Sequence, residues 1–437
     1  MRYLVQIFIF LLPLHAILVT YLSCKVWVNT DILRFWKEII IIFLLLVVSL
    51  KVLLNHKFNL KEIYKNNYLL WTITAFSISS FIYIFFPYFD VKISWFLGFK
   101  YDVFFLFAIV IWVYLSSIKE NFDVILKTLF ASIWIILVIF LPWFLFWDIS
   151  KMAEFFGYST QVSTYNAWWC IAFAQNVTGW HHRFQWTFWD PIRFSVFLVV
   201  FYFIYLWYAI HENLNNKRNL ILFTLIPSIL VLSSIFFAFT KTSILWFLFW
   251  SLLFIYLVRK VKYSKDISKK QAVWWLSIIW IILVFILYVK RNLFLHPEAI
   301  LWRVENLITS INMFFRNPFW YWLWIAWPAS QLWTSENEVL ASSARKFLPE
   351  NWYVQILLEQ SIIWLALFIS ILIIVWNQLW KIAIRKKDYF SIWLFTSFIT
   401  IIFMWNFTHV FEESATSYIL FLIIWAYIAK ESREFRK

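Results

Sequence analysis

Nine residues of this chain have types and surroundings suited to chemistry: His181, His182, Arg183, Lys241, Arg303, Arg316, Glu350, Asn351 and His409. The arginines and the lysine are cations able to hold an anion through charge-assisted hydrogen bonds. Each also has a plain alternative, snorkelling to lipid headgroups at the edge of a membrane. That alternative weighs most for Arg316 and Lys241. Glu350 is a carboxylate that can accept a proton if burial raises its pKa toward the working pH, or it can sit at a helix N-terminus and suit the local dipole. Asn351 beside it can orient a hydroxyl or cap the same helix. His181 and His182 are rival bases, although adjacent histidines in a loop are more often solvated. His409, with Glu412 and Glu413, forms a third polar cluster that either lines a path to the site or is a wet loop. No His-x-x-x-His or cysteine pair accompanies any of them, so neither a metal nor another cofactor is expected. The two cysteines, Cys24 and Cys170, permit at most one disulfide.

The elements that must position these residues are membrane helices. With 63% hydrophobic and 14% charged residues, the chain excludes a soluble globule. Twelve apolar stretches approach the roughly 20 residues that cross a bilayer: 3–23, 37–54, 68–87, 101–118, 124–147, 192–210, 219–238, 242–258, 273–289, 355–377, 389–405 and 414–429. The first resembles a secretory signal only in its preceding Arg2; it is too long and lacks a small-residue cleavage site, so it reads as a retained anchor. The net charge of +15 does not mark a nucleic-acid partner, because the basic residues gather in alternate short loops. Those loops hold Lys57, Lys61 and Lys65; Lys217 and Arg218; Arg259 to Lys270; Arg385 to Lys387; and the C-terminal Arg433, Arg436 and Lys437. Such a pattern places the basic loops and both termini on the cytoplasmic side of the membrane. The expected fold is therefore all-α: one polytopic membrane domain over 1–437, with outer loops at 148–191 and 290–354 and no internal repeat. The second loop follows the ninth span and is too long for a connector. Its charged residues, among them Arg303, Glu305, Arg316 and Glu350, alternate with apolar segments able to form helices lying on the membrane.

Tryptophan and glycine are both far from ordinary usage. The chain has 32 Trp and 3 Gly; together they make about 8% of it, close to the usual glycine share of roughly 7%. A membrane protein rich in tryptophan, with rings at the interfaces or stacked on sugars, accounts for the excess but not for the shortage. Membrane helices use glycine freely, since small residues let backbones approach. Some bacteria read the UGA codon as glycine, and translating such a gene with UGA as tryptophan produces both anomalies together. Glycine is accordingly expected at most Trp positions, including Trp186, Trp189, Trp320, Trp322, Trp324, Trp327, Trp352 and Trp364.

With those glycines in place, three stretches acquire familiar patterns. Residues 183–191 become R-x-x-G-T-F-G-D-P, residues 317–328 become N-P-F-G-Y-G-L-G-I-A-G-P, and residues 349–355 become P-E-N-G-Y-V-Q. Over roughly residues 180–370 the chain resembles the O-antigen ligase and O-antigen polymerase family of membrane glycosyltransferases. The resemblance implies transfer of a glycan from a polyprenyl diphosphate carrier to an acceptor hydroxyl at the outer face of the membrane, without metal or cofactor. It implies that Arg183 faces the diphosphate, with Arg303 and Lys241 as further cations. Lys241 stands where the family commonly has arginine, and lysine lacks the fork that grips two phosphate oxygens. Glu350 stands where ligases of the family usually have histidine, which counts mildly against a standard lipopolysaccharide ligase. The acceptor is then a lipid, a polysaccharide or a protein, and the alternatives within the family are a polysaccharide polymerase and a protein oligosaccharyltransferase. A glycan flippase or other secondary transporter is the alternative from another class, but it should concentrate charge at mid-bilayer, and the spans here carry almost none.

Overall fold

The computed structural model describes residues 2–28, 30–54, 68–83, 99, 103–106, 122–142, 155–157, 188, 191–213, 217–238, 241–263, 297–316, 351–404 and 414–434. The regular elements among them are helices, with no strand. In chain order these are α1 (Arg2–Leu11), α2 (His15–Lys25), α3 (Thr30–Leu54), α4 (Tyr68–Tyr83), α5 (Phe122–Ile135) and α6 (Pro191–Asn213). Then come α7 (Lys217–Phe237), α8 (Lys241–Leu257), α9 (Pro297–Arg316), α10 (Trp352–Lys386), α11 (Tyr389–Met404) and α12 (Ser414–Glu434).

Helices are what apolar sequence must form where water is scarce, because each backbone N–H and C=O then finds its partner within its own segment. Among the described residues, three stretches are long and apolar enough to cross a membrane: Tyr3–Lys25, Ile192–Ile210 and Gln360–Lys386. The first joins α1 to α2 through a tight turn at Leu12–Leu14, where Pro13 removes a backbone donor. Five shorter apolar helices accompany them: Tyr68–Ile82, Val124–Ile139, Phe223–Phe237, Tyr389–Met404 and Ala415–Ile428. These are the helices of a membrane protein by length and composition. Of the twelve stretches expected to cross, 273–289 lies outside the described residues and 101–118 is described only at 103–106.

The contacts gather into two compact units. In the first, built from 1–55, 107–250 and 413–437, α6 is the central helix, with Phe194 to Phe201 almost wholly buried. Its neighbour α7 runs antiparallel, since Tyr202 donates to Ser228 at 2.8 Å and Tyr205, further along α6, donates to the Phe223 carbonyl at 3.0 Å. Nearby, the Ser132 hydroxyl on α5 donates to the Phe10 carbonyl on α1 at 2.8 Å, and Trp36 on α3 donates to His15 Nδ1 on α2 at 2.8 Å.

The second unit comprises 56–106 and 251–412. Here the part of α10 that follows its kink at Ser361 forms an antiparallel hairpin with α11, with Trp376 and Trp380 against Phe395 at 5.2 and 5.0 Å, and the Tyr353 hydroxyl, before the kink, donates to the Ile402 carbonyl at 3.0 Å. The turn between them uses Lys387 in the left-handed region (φ 52°), after which Asp388 accepts from the Ser391 N–H at 2.7 Å. Helix α4 packs on α10 through a Ser80 to Gln360 hydrogen bond of 3.0 Å and through Phe76 against Phe368. The chain leaving α8 meets the same hairpin turn, where the hydroxyls of Tyr263 and Tyr389 bond at 2.7 Å. Two of the basic clusters, Arg259 to Lys262 and Arg385 to Lys387, thus belong to one end of this unit.

Two tryptophans sit where their side chains do not belong. Trp27 follows the end of α2 with φ 63°, a left-handed conformation that glycine takes without strain and that costs other residues roughly 1–2 kcal/mol. Trp250 is fully buried, and its ring centroid lies 3.2 Å from that of Phe203, inside the 4.5–7 Å that aromatic pairs prefer. One true glycine shows the complementary case. At Gly157 φ is +79°, and an added Cβ would come within 2.6 Å of the Cys24 Cβ.

Candidate functional site

The sequence places several candidate residues at or just before helix starts, and the structure describes three such starts, those of α6, α8 and α10. Pro191 opens α6, where its missing N–H costs nothing and its fixed φ suits a first helical residue. Lys241 opens α8. Ser195 and Ser243, in the first turns of these two helices, are completely buried and share a short hydrogen bond. That bond makes α6 and α8 begin side by side, with the end of α7 at the same level, because α7 runs the opposite way. Phe188 adds a second anchor: it is buried against Phe194 and Phe197, at ring-centroid distances of 5.5 and 5.1 Å. Phe188 belongs to the 183–191 segment, so part of that segment is fixed on the first two turns of α6.

In the second unit, Asn351 has an extended backbone and its side-chain carbonyl accepts from the N–H groups of Tyr353 and Val354, at 3.0 and 3.2 Å. It is the N-cap of α10, and capping of this kind contributes about 1 kcal/mol. Trp352, next in line, is fully buried and meets Phe368 at 4.5 Å and Phe105 at 6.2 Å. Ten residues into α10, Ser361 takes φ 76° and ψ 174°, a kink in a conformation that only glycine adopts readily. Below the cap, a cavity of about 560 Å³ opens between α10 and α11. Tyr353, Leu372, Trp376 and Phe403 line it, with Asn377 as its polar side chain besides the tyrosine. Its size falls in the range of small-molecule pockets, and its walls favour an apolar occupant.

Arg303 lies within α9, and Arg316 ends that helix, exposed. Arg183, His181, His182, Glu350 and His409 lie outside the described residues, as do the Trp-rich segment 317–328 and, apart from 155–157, 188, 191, 297–316 and 351–354, the outer loops expected at 148–191 and 290–354. Of the nine candidates, then, the structure gives a complete environment to Asn351 and Arg316, and a place on a helix to Lys241 and Arg303. No group of three or more metal-ligating side chains occurs among the described residues.

The sequence motifs assign no packing role to Ser195, Ser243 and Phe188, which hold the starts of α6 and α8 in the first unit, or to Tyr353, Gln360 and Ser80, which hold α10 on its neighbours in the second. For all of them except Phe188 the signal is polarity inside an apolar run, since a buried hydroxyl or amide needs a partner. Which partner it takes is set by tertiary packing. Compared with known proteins, the chain matches no family model, no curated protein and no solved structure.

Proposed function

We propose that this chain is an integral membrane glycosyltransferase of the O-antigen ligase kind, with twelve spans and both termini in the cytoplasm of a bacterial cell. It transfers a glycan from a polyprenyl diphosphate to an acceptor hydroxyl at the outer membrane face. One observation supports this most: the Ser195–Ser243 bond, which sets the starts of α6 and α8 together. Lys241 opens one of these helices. Arg183 precedes Phe188 by five residues, so covalent reach keeps it within about 18 Å of that anchor on α6. Two helix N-termini add their partial positive charge at the same place. The gathering of basic segments around Tyr263 and Tyr389, at the other end from the Asn351 cap, supports an inner position for that end and an outer one for the cap.

In the reaction, an oxygen of the acceptor attacks the anomeric carbon as the bond to the diphosphate oxygen breaks. Arg183, with Lys241 and Arg303, meets the negative charge that develops on the leaving diphosphate. Glu350 takes the proton of the acceptor hydroxyl. No metal or other cofactor enters this scheme. The glycine-rich form of 317–328 belongs to it, because glycines permit the turns and close backbone approach that an anion requires. Trp27 and Trp250 support that form, since each occupies a position better suited to glycine.

The test uses the full chain in liposomes with a lipid-linked glycan and a hydroxyl acceptor. Arg183→Ala should abolish transfer while membrane insertion persists, and Glu350→Gln should slow it on the order of a hundredfold or more. Unchanged transfer by Arg183→Ala removes that residue from the mechanism. Vectorial movement of intact lipid-linked glycan without transfer would replace the enzyme by a transporter.

A further inference from the structure

Helix α9 has three distinct faces. It packs on α10, and on its inner side Ser310 is completely buried. A second face carries Leu301, Val304, Ile308, Ile311 and Phe315 at alternating spacings of three and four, so all five fall on one stripe. This stripe is exposed throughout, from 39% at Ile311 to 75% at Phe315. A third face, flanking the stripe, presents Glu305, Thr309, Asn312 and Arg316 to the surroundings. Water-soluble monomers rarely leave a continuous apolar strip of this length uncovered.

We infer that α9 lies flat in the membrane–water boundary, with the Leu301–Phe315 stripe among lipid acyl chains and the Glu305–Arg316 face in the headgroup and water layer. Twenty residues are long enough to cross a bilayer, but Glu298, Arg303, Glu305 and Arg316 make crossing costly. Adjacent apolar and charged sectors along the whole length are the pattern of an in-plane helix. The support beneath fits: α10 contains one of the three membrane-length stretches among the described residues and exposes Ile362, Ile363, Ile369 and Ile373, so α9 packs on a helix with an uncovered apolar flank of its own. The occupant of the stripe is bilayer lipid, whether or not the chain transfers glycans. Such placement ties the outer stretch after the ninth span to the membrane surface.

The experiment uses the full-length chain, with Cys24 and Cys170 changed to serine, in phosphatidylethanolamine–phosphatidylglycerol liposomes. Single nitroxide-labelled cysteines replace Val304, Ile308 or Ile311 on one face, and Glu305, Thr309 or Asn312 on the other. Collisions with oxygen, which concentrates in lipid, are compared with collisions with a water-soluble nickel chelate. Oxygen should be favoured several-fold at the first three positions and the chelate at the last three. Equal access of the chelate to all six positions would show a solvated helix and overturn the inference. Exclusion of both reagents from the first three would show that protein, a second copy or another part of this chain, covers the stripe, and would overturn it too. A photo-crosslinking residue at 308 and at 309, with the native cysteines kept, gives an independent readout: lipid adducts should form at 308 and not at 309, and the reverse contradicts the proposal.

Discussion

Helix α6 and helix α10 are both long and apolar enough to cross a membrane, yet 72% of the apolar window is buried in the first and only 28% in the second. Helix α6 is packed on nearly every side: Phe197, for example, lies between Phe188 and Phe201, and even its serine, Ser195, has a partner. Helix α10 is packed on one flank by α4 and α11, exposes isoleucines on the other, borders a cavity and bends at Ser361. Two apolar helices of membrane length thus differ in how far their neighbours enclose them. A helix enclosed by others fixes positions, whereas a helix at the edge can yield. Two of the cations expected at the diphosphate, Arg183 and Lys241, stand in sequence at or shortly before the starts of α6 and α8, Arg303 lies on α9, and the expected base stands one residue before the cap of α10.

This contrast predicts unequal responses to truncation. Phe197→Ala, which empties a fully buried aromatic site, should destabilise the protein by about 3–5 kcal/mol. Ile373→Ala, on the exposed flank of α10, should change stability by no more than about 0.5 kcal/mol. Thermal unfolding in detergent decides: equal shifts would erase the distinction between an enclosed and an edge helix. A smaller effect is expected at the tie between α6 and α8. Ser195→Ala leaves the buried Ser243 hydroxyl without that bond and should cost about 1–3 kcal/mol. If the cations act from that place, transfer should fall as well, and undiminished transfer would separate the tie from the site. The smallest change should be a gain. Ser361→Gly relieves a positive φ and should add about 1 kcal/mol, while loss of stability would mean the side chain has an essential contact.

Much of the helical plan was legible because apolar runs and flanking charge report directly on solvent. The limits of that signal are visible at α10. The apolar stretch was read as ending near 377, but the helix continues to Lys386, with Leu379, Ile382 and Ala383 buried and Trp380 packed on Phe395. Hydropathy marks what lies in lipid, and the helix ends only where Lys387 turns left-handed. The start of α10 was readable from Asn351, a strong N-cap residue, though its alternative use toward an acceptor was equally compatible with sequence; its side-chain oxygen is in fact engaged by two backbone N–H groups. By contrast, the meeting of Ser195 with Ser243 joins positions 48 residues apart, and no local pattern encodes it. The kink at Ser361 was hidden for the opposite reason: serine gives no sequence sign of a left-handed backbone.

The account rests most directly on glycine at the tryptophan positions, since without it the three motifs and the anion-holding loop dissolve. Mass spectrometry of peptides from the protein isolated from its own cells settles the matter. The predicted result is glycine at 27, 250, 320, 322, 324, 327 and 352, where the conceptual translation has tryptophan. Tryptophan in those peptides would contradict it, and with it the glycosyltransferase assignment built on the restored motifs.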